Sequence, residues 1–328
     1  MKKVYLVDIT TASPPFKVSQ EKAARELIKR IGTRPVIARL IKAASTHSGI
    51  ETRLVVLPDA ADNPEERFFS KNGKDVVPTT QERMDEYEKW SKKLVYDAVG
   101  NLISRNQIET EGIRRLITIS CTGFFAPGLD YFLIEGFKLR REIKRTNIGF
   151  MGCAASITGF QSVLESLGNS KNESQDALLV SIELCSLHLQ LEPTRDNILS
   201  NMIFADGCAA ACFSNSAVSH GAKLELIDTF VYLFEDSSGY MGWRIKNEGF
   251  QMILSPELPK IILESAAPEL IKILKSNGIE KEKVKHWALH PGGRAILDSL
   301  QKGLKLSDDQ MIPSRKILRN YGNMSSSS

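Results

Sequence analysis

The sequence predicts an α/β fold of two similar halves, with helices layered between and around mixed sheets. Three observations carry that expectation. The chain has 328 residues, enough for two domain-sized units or one large duplicated fold. Its residues are 42% hydrophobic and 25% charged, an ordinary balance for a globular protein and unlike that of a disordered or fibrous one. Two stretches also share one grammar: a strand, a turn of small residues, a helix, then a Gly-X motif ahead of small residues. Chance similarity is the alternative to duplication. On the duplicated reading the halves are residues 1–217 and 218–328.

Taken in order, residues 4–9 read as a buried strand that Ser13-Pro14-Pro15 ends by removing donors and fixing φ. Residues 19–31 carry Ala23, Leu27 and Ile31 at helical spacing behind an N-cap at Ser19. Residues 58–80, rich in Pro, Asp, Asn and Lys, read as an exposed connection. A long amphipathic helix over 84–103 follows through Tyr87, Leu94, Tyr96, Ala98 and Leu102. The first repeated stretch starts with a strand at 115–120, turns at Cys121-Thr122-Gly123, and continues as a helix over 131–139. It then reaches Gly149-Phe150-Met151-Gly152-Cys153-Ala154-Ala155. The second starts with a strand at 284–289, turns at His290-Pro291-Gly292-Gly293, and continues as a helix over 295–300. It then reaches Tyr321-Gly322-Asn323-Met324-Ser325. Residues 325–328 are the one low-complexity segment.

Composition excludes several classes of function. Lys and Arg number 43 against 39 Asp and Glu, and a dispersed net charge of +4 does not suit a nucleic-acid binder. No apolar run approaches the ~18 residues of a membrane span. The first residues are too short an apolar stretch for a secretory signal. The five cysteines contain no CxxC pair, so neither a disulfide framework nor a zinc ribbon is indicated. The expectation is a soluble, cytoplasmic protein with reduced thiols.

Three residues stand out chemically. Cys153 lies among small neighbours at an expected helix start, where the helix N-terminus favours a thiolate. A buried structural cysteine is the alternative. His290 ends a strand beside a Pro-Gly-Gly turn that presents its ring at the sheet edge, although a lone histidine is commonly a satisfied polar group. Asn323, between Gly322 and a Met-Ser run, is either a site amide or a simple turn residue. Together the three suit a thiolate nucleophile for acyl transfer with two neutral donors for an oxyanion or enolate.

The motifs around these residues sharpen the picture. Ser120-Cys121-Thr122-Gly123, Pro127-Gly128-Leu129-Asp130-Tyr131 and Gly152-Cys153-Ala154 come first. Glu183-Leu184-Cys185-Ser186, Phe204-Ala205-Asp206-Gly207, Trp287-Ala288-Leu289-His290-Pro291-Gly292-Gly293 and Tyr321-Gly322-Asn323-Met324-Ser325-Ser326 follow. In this order they resemble the type III polyketide synthases, the chalcone-synthase-like branch of the thiolase superfamily, and most closely its bacterial members. The resemblance implies a thiolase-like layered αβαβα fold with internal duplication and mixed sheets. It also implies a homodimer and coenzyme A thioesters as substrates, without a metal or redox cofactor.

On that resemblance Cys153 takes an acyl group from a coenzyme A thioester. His290 and Asn323 stabilise the enolate formed when malonyl-CoA loses carbon dioxide. Phe204 corresponds to an aromatic gatekeeper, Met252 to a second one that is usually Phe, and Cys121 to a cavity-lining position. Ala126 replaces a Met that commonly reaches across the dimer interface. Arg39 and Lys42, with His47 beyond, are candidates for the coenzyme A phosphates or for a solvated face. Cys185, Cys208 and Cys212 read as inert core thiols, and His188, His220 and His286 receive no role.

The flexible Met252 and small Ala126 favour a fatty acyl starter, and so an alkylpyrone or alkylresorcinol product. Family members continue past Asn-Met-Ser-Ser into a helix and final strands. The expectation is therefore of a C-terminal truncation, with an uncovered strand edge and a less supported Asn323. The competing readings are a β-ketoacyl synthase III-type enzyme and a catalytically silent fragment or partner subunit.

Overall fold

The structure, a computed structural model, describes residues 2–60, 67–71, 74–170, 174–217 and 224–328. Its centre is a six-stranded mixed sheet. The strands are β1 (Val4–Ala12), β2 (Ile113–Ser120), β3 (Lys144–Gly149), β4 (Asp176–Leu184), β5 (Asp206–Ser214) and β6 (Leu224–Leu226), in the order β6-β1-β5-β4-β2-β3. β2 runs parallel to both β3 and β4, whereas β5 is antiparallel to β4 and to β1.

β4 is buried at every position, as its near-continuous apolar run requires of a strand covered on both faces. One face is covered by helix α3 (Thr80–Asn106), which buries Tyr87, Leu94, Val95, Ala98, Val99 and Leu102. Thr79 and Glu82 close a capping box that fixes where this helix starts. The other face takes α5 (Ala155–Gly168) through Ala155, Val163 and Leu167. Helices α1 (Gln20–Ile31) and α2 (Pro35–His47) pack on α6 (Arg195–Ile203) through Leu27, Ile37, Ile41, Ile198 and Met202. The cap at Ser19 is formed, its Oγ accepting from the Lys22 N–H at 3.2 Å. α4 (Leu129–Phe137) connects β2 to β3.

This connectivity puts chemistry at one edge. β2, β3 and β4 are parallel and end together, so Cys121, Phe150 and Cys185 all follow strand ends on the same side. Antiparallel β5 begins there, with Phe204 just ahead of it. The carboxyl ends of parallel strands are where α/β folds open a crevice.

The C-terminal residues contribute helices α7 (Ala267–Ser276), α8 (Arg294–Leu304) and α9 (Asp308–Tyr321), joined in a core of Trp287, Leu297, Leu304, Met311 and Leu318. They also contribute a hairpin, Met241–Lys246 with Gly249–Leu254. One expected element differs: residues 284–289 run without a ladder partner among the described residues. A strand exists only by pairing, and this segment instead binds α9. The Leu289 N–H donates to Ser314 Oγ at 3.0 Å, and the Val284 carbonyl accepts from Gln310 Nε2 at 3.4 Å. The 58–80 connection contains a 3-10 turn at Pro58–Ala60, while 61–66 and 72–73 lie outside the described residues. No described helix is long and apolar enough to cross a membrane.

Gly249 opens the second hairpin strand with φ +92, a conformation that side chains rarely adopt. A Cβ there would stand 2.7 Å from Cδ of Arg83. Arg83 cannot yield, being fully buried and bonded to the Pro78, Leu187 and Leu189 carbonyls. Gly249→Ala is therefore expected to cost about 1–3 kcal/mol of stability. A urea midpoint unchanged from the wild type would contradict this.

Candidate active site

Cys153 sits in the 3-10 turn Gly152–Ala154, between β3 and the start of α5, and is half-buried. Its thiol faces a cavity of about 310 Å³ that Cys121, Thr122, Phe150, Phe204, Trp243, Met252 and Ser325 also line. The lowered thiol pKa expected from a helix start is not found. Burial pushes the thiol up to about 11. Hydrogen bonding with the Ser325 and Asn323 side chains pulls it down, and the nearby Glu183 carboxylate pushes it up. Desolvation outweighs the helix terminus here.

Asn323 is held on every side. Its backbone forms a bridge with Phe204, accepting from Ala205 N–H at 2.9 Å and donating to the Ile203 carbonyl at 3.0 Å. The side-chain Oδ1 accepts from Ser325 N–H at 2.8 Å, and Nδ2 donates to the Gly292 carbonyl at 3.1 Å. An amide nitrogen carries two hydrogens, so one remains for the thiol. Gly322, at φ +74, lets the chain leave α9 and turn Asn323 inward. A Cβ at Gly322 would meet Arg53 and the Ile203 carbonyl at 3.0 Å.

The Asn323–Gly292 bond also ties in the histidine turn. The Gly292 N–H donates back to the His290 carbonyl at 2.9 Å. Burial lowers the His290 pKa to about 4, so the ring is neutral near pH 7. Its Nε2 is buried and has no hydrogen-bond partner among the described residues. Buried polar atoms are normally paired, so this nitrogen is free for a proton or a substrate oxygen.

Beneath the cavity lies Glu183, near the end of β4 and fully buried. Oε2 accepts from the Cys121 N–H at 3.0 Å and the Thr122 hydroxyl at 2.9 Å, and Oε1 accepts from the Ser326 hydroxyl. Burial nevertheless raises its pKa to about 7. Residues 325–328, expected as low complexity, therefore belong to the site. Ser325–Ser327 form a 3-10 turn, with Ser325 and Ser326 buried. A lone carboxylate inside the apolar run of 177–184 is the sequence signal for Glu183.

Phe204 and Met252 both stand between this cavity and a second one of about 130 Å³. Cys121 is buried beside Cys153, its sulfur accepting from Gly152 N–H at 3.2 Å, and burial raises its thiol to about 12. Cys185, expected to be an inert core thiol, lines both cavities. Cys208 and Cys212 are buried in β5. Trp243, which opposes Met252 across the hairpin, carries no motif in the sequence. Arg39, Lys42 and His47 are exposed on α2 and line neither cavity. Ala126 is exposed, and His220 lies outside the described residues. Among the described residues no His, Cys, Asp and Glu cluster could hold a metal ion.

Along its whole length the chain is similar to proteins of one family. The family model described as FAE1/Type III polyketide synthase-like protein matches residues 1–234, and the C-terminal domain of chalcone and stilbene synthases matches 225–328. The chain is 27% identical over 323 residues to 1,3,6,8-tetrahydroxynaphthalene synthase of Streptomyces peucetius subsp. caesius, covering 98% of this chain and 82% of that one. It is 26% identical to the alpha-pyrone synthesis polyketide synthase-like Pks18 of Mycobacterium tuberculosis, covering 88% and 81%. Polyketide synthase 37 of Dictyostelium discoideum is 30% identical over 247 residues, 74% of this chain, which spans 8% of that protein's length. The crystal structure of PKS-I from the brown alga Ectocarpus siliculosus superposes with a TM-score of 0.92 at 29% identity, covering 100% of this chain and 87% of that one.

Two outcomes follow from the electrostatics. Iodoacetamide should modify Cys153 ahead of the other four cysteines, at a rate that climbs with pH towards about 11. Peptide mapping that found a plateau near neutral pH, or another cysteine reacting first, would refute this. For Glu183 the folded carboxyl is raised to about 7 from 4.5, so its contribution to stability is complete below pH 4.5 and lost as pH rises through about 7. Glu183→Gln should flatten that part of the stability–pH curve. Parallel urea titrations of both proteins at about pH 5 and pH 8 test it, and identical slopes would count against the buried charge.

Proposed function

The chain belongs to the type III polyketide synthase family, and we propose that it condenses an acyl-CoA starter with malonyl-CoA through an acyl group carried on Cys153. The observation that carries this reading is the Asn323 carboxamide. Ser325 and Gly292 fix it so that one N–H is left for the Cys153 thiol.

At rest the thiol and imidazole are both neutral. In the proposed cycle the Cys153 proton passes to His290 Nε2 as sulfur attacks the thioester carbonyl. The carbon–sulfur bond to coenzyme A breaks, and coenzyme A leaves with that proton. The ring proton then exchanges through solvent from Nδ1 to Nε2, and malonyl-CoA places its thioester oxygen on the Asn323 Nδ2–H and the His290 Nε2–H. The bond to the terminal carboxylate breaks, carbon dioxide departs, and the electron pair becomes an enolate held by these two donors. Its carbon attacks the acyl-Cys153 thioester and expels the Cys153 thiolate, which takes up a proton from solvent, leaving on coenzyme A a chain longer by one ketide unit. These steps call on coenzyme A thioesters and on no metal or redox cofactor.

The starter we infer is a fatty acyl group, and the product an alkylpyrone or alkylresorcinol. One side of the second cavity supports this, because Val18, Leu27, Val55, Leu57, Phe69 and Met202 suit an alkyl chain, while Lys22, Glu26, Arg30 and Asp59 make the rest of its lining charged. Met252 between the two cavities is a flexible gate. Arg39 and Lys42 remain the proposed cations for the coenzyme A phosphates. Also proposed are a homodimer, a cytoplasmic location and a division into halves at 217/218.

Incubation of the purified protein with a long-chain acyl-CoA and malonyl-CoA should yield an alkylpyrone or alkylresorcinol by mass spectrometry. Asn323→Ala should lower kcat by about 10²–10³-fold. Turnover restricted to short or aromatic starters would reject the fatty acyl starter. A requirement for malonyl on a carrier protein would instead favour a single-condensation enzyme.

A further inference from the structure

His188 is a buried imidazole that the chemistry above does not use. It follows the end of β4, is 3% exposed, and has both ring nitrogens engaged. Nδ1 accepts from the Phe250 N–H at 3.0 Å, which leaves Nε2 to carry the hydrogen and donate to the Thr122 carbonyl at 2.7 Å. Burial lowers its pKa to about 3, in keeping with a permanently neutral ring. The ring also stacks on Phe250 at 4.1 Å and 11°, and stands edge-on to Trp243 at 5.5 Å.

Trp243 completes the pattern. Its Nε1–H donates to the Cys121 carbonyl at 2.7 Å. Two successive carbonyls of the turn after β2 are thus each held by an aromatic side chain, and one of those chains bonds the hairpin backbone as well. The pair Trp243 and Met252, opposite each other in the hairpin register, lines both cavities together with Phe204 and Cys185. The separation between the Cys153 cavity and the second cavity beyond it therefore depends on where the hairpin sits. Two bonds fasten that hairpin to the active-site turn, one from Trp243 itself and one relayed through the neutral His188 imidazole.

We propose that His188 is a positioning residue for starter selection: it locks the Trp243–Met252 wall at a set place between the two cavities and so sets which acyl chain lengths reach Cys153. This deepens the reading of the chain as an acyl-CoA-loading enzyme and rests on it. The chemistry demands an acceptor towards Phe250 N–H and a donor towards Thr122 carbonyl. Glutamine can supply both from Oε1 and Nε2, and leucine neither.

The test compares His188→Leu and His188→Gln, each first checked for a cooperative melt. The readouts are kcat/KM for butyryl-CoA and dodecanoyl-CoA with malonyl-CoA, and acrylamide quenching of Trp243, isolated by subtraction in a Trp243→Phe background. His188→Leu should shrink the wild-type discrimination between the two chain lengths tenfold or more. That change should fall mainly on KM for the preferred chain, with a twofold or greater rise in Trp243 quenching. His188→Gln should stay within threefold of wild type in discrimination and match it in quenching. Wild-type discrimination or quenching retained in His188→Leu overturns the proposal, as does His188→Gln behaving like His188→Leu. Should the wild type turn over neither thioester, the acyl-CoA reading itself fails, and with it the starter-selection role. The quenching arm then still shows whether His188 holds Trp243.

Discussion

A carboxylate with no access to water organises this molecule. Glu183 accepts from the backbone of Cys121, the hydroxyl of Thr122 and the hydroxyl of Ser326, so one side chain fastens the end of β4, the turn after β2 and the last serines to each other. A charge or a polar group buried without such partners costs several kcal/mol, so these donors are obligatory rather than decorative. Cys153, Asn323 and Ser325 stand on the platform that results. Ser181, one turn of the strand pleat away, reinforces it by bonding Ser326 at 2.8 Å.

The platform has an electrostatic consequence. Burial sets the Cys153 thiol near 11, with the Glu183 charge adding to it, while burial alone sets His290 near 4. With the thiol that high, only about 1 in 10⁴ molecules carries the thiolate at pH 7. A resting ion pair between sulfur and imidazole is thus disfavoured from both ends. On the proposed reading the nucleophile is generated as the substrate arrives, when the carbonyl that sulfur attacks begins to draw off its charge. Such a site gains chemical restraint, because a neutral thiol is slow to react with oxidants and stray electrophiles. In the proposed cycle its electrophile is selected by the cavity and by the donors at its oxygen.

Much of this was legible in the residues. The Gly-Cys-Ala turn, the His-Pro-Gly-Gly turn and the Gly-Asn-Met-Ser segment pointed at Cys153, His290 and Asn323, because small residues and breakers leave a local mark. Helices over 19–31 and 84–103 were legible through apolar spacing and capping residues, and both formed within a few residues of expectation. Three things were not. The segment 284–289 has a strand's composition, but a strand needs a neighbour, and pairing is not written in one segment. Helix α9 is masked in the sequence although Ser307 and Gln310 form a capping box at its start, because Pro313 interrupts its pattern. His188 and Trp243 were invisible since their importance lies in contacts between residues 62 and 122 positions apart. The thiol pKa went the other way from its helix-start expectation for a related reason: burial is a property of the whole fold.

The central claim is that the sulfur of residue 153 carries the growing chain. Brief mixing of the purified protein with a radiolabelled or mass-tagged long-chain acyl-CoA, without malonyl-CoA, followed by acid quench and peptide mapping, tests it directly. The account predicts one acyl group per chain, on the peptide containing Cys153 and absent from Cys153→Ala. Acylation located on Cys121 or Cys185 instead, or none on any cysteine while product still forms, would contradict it.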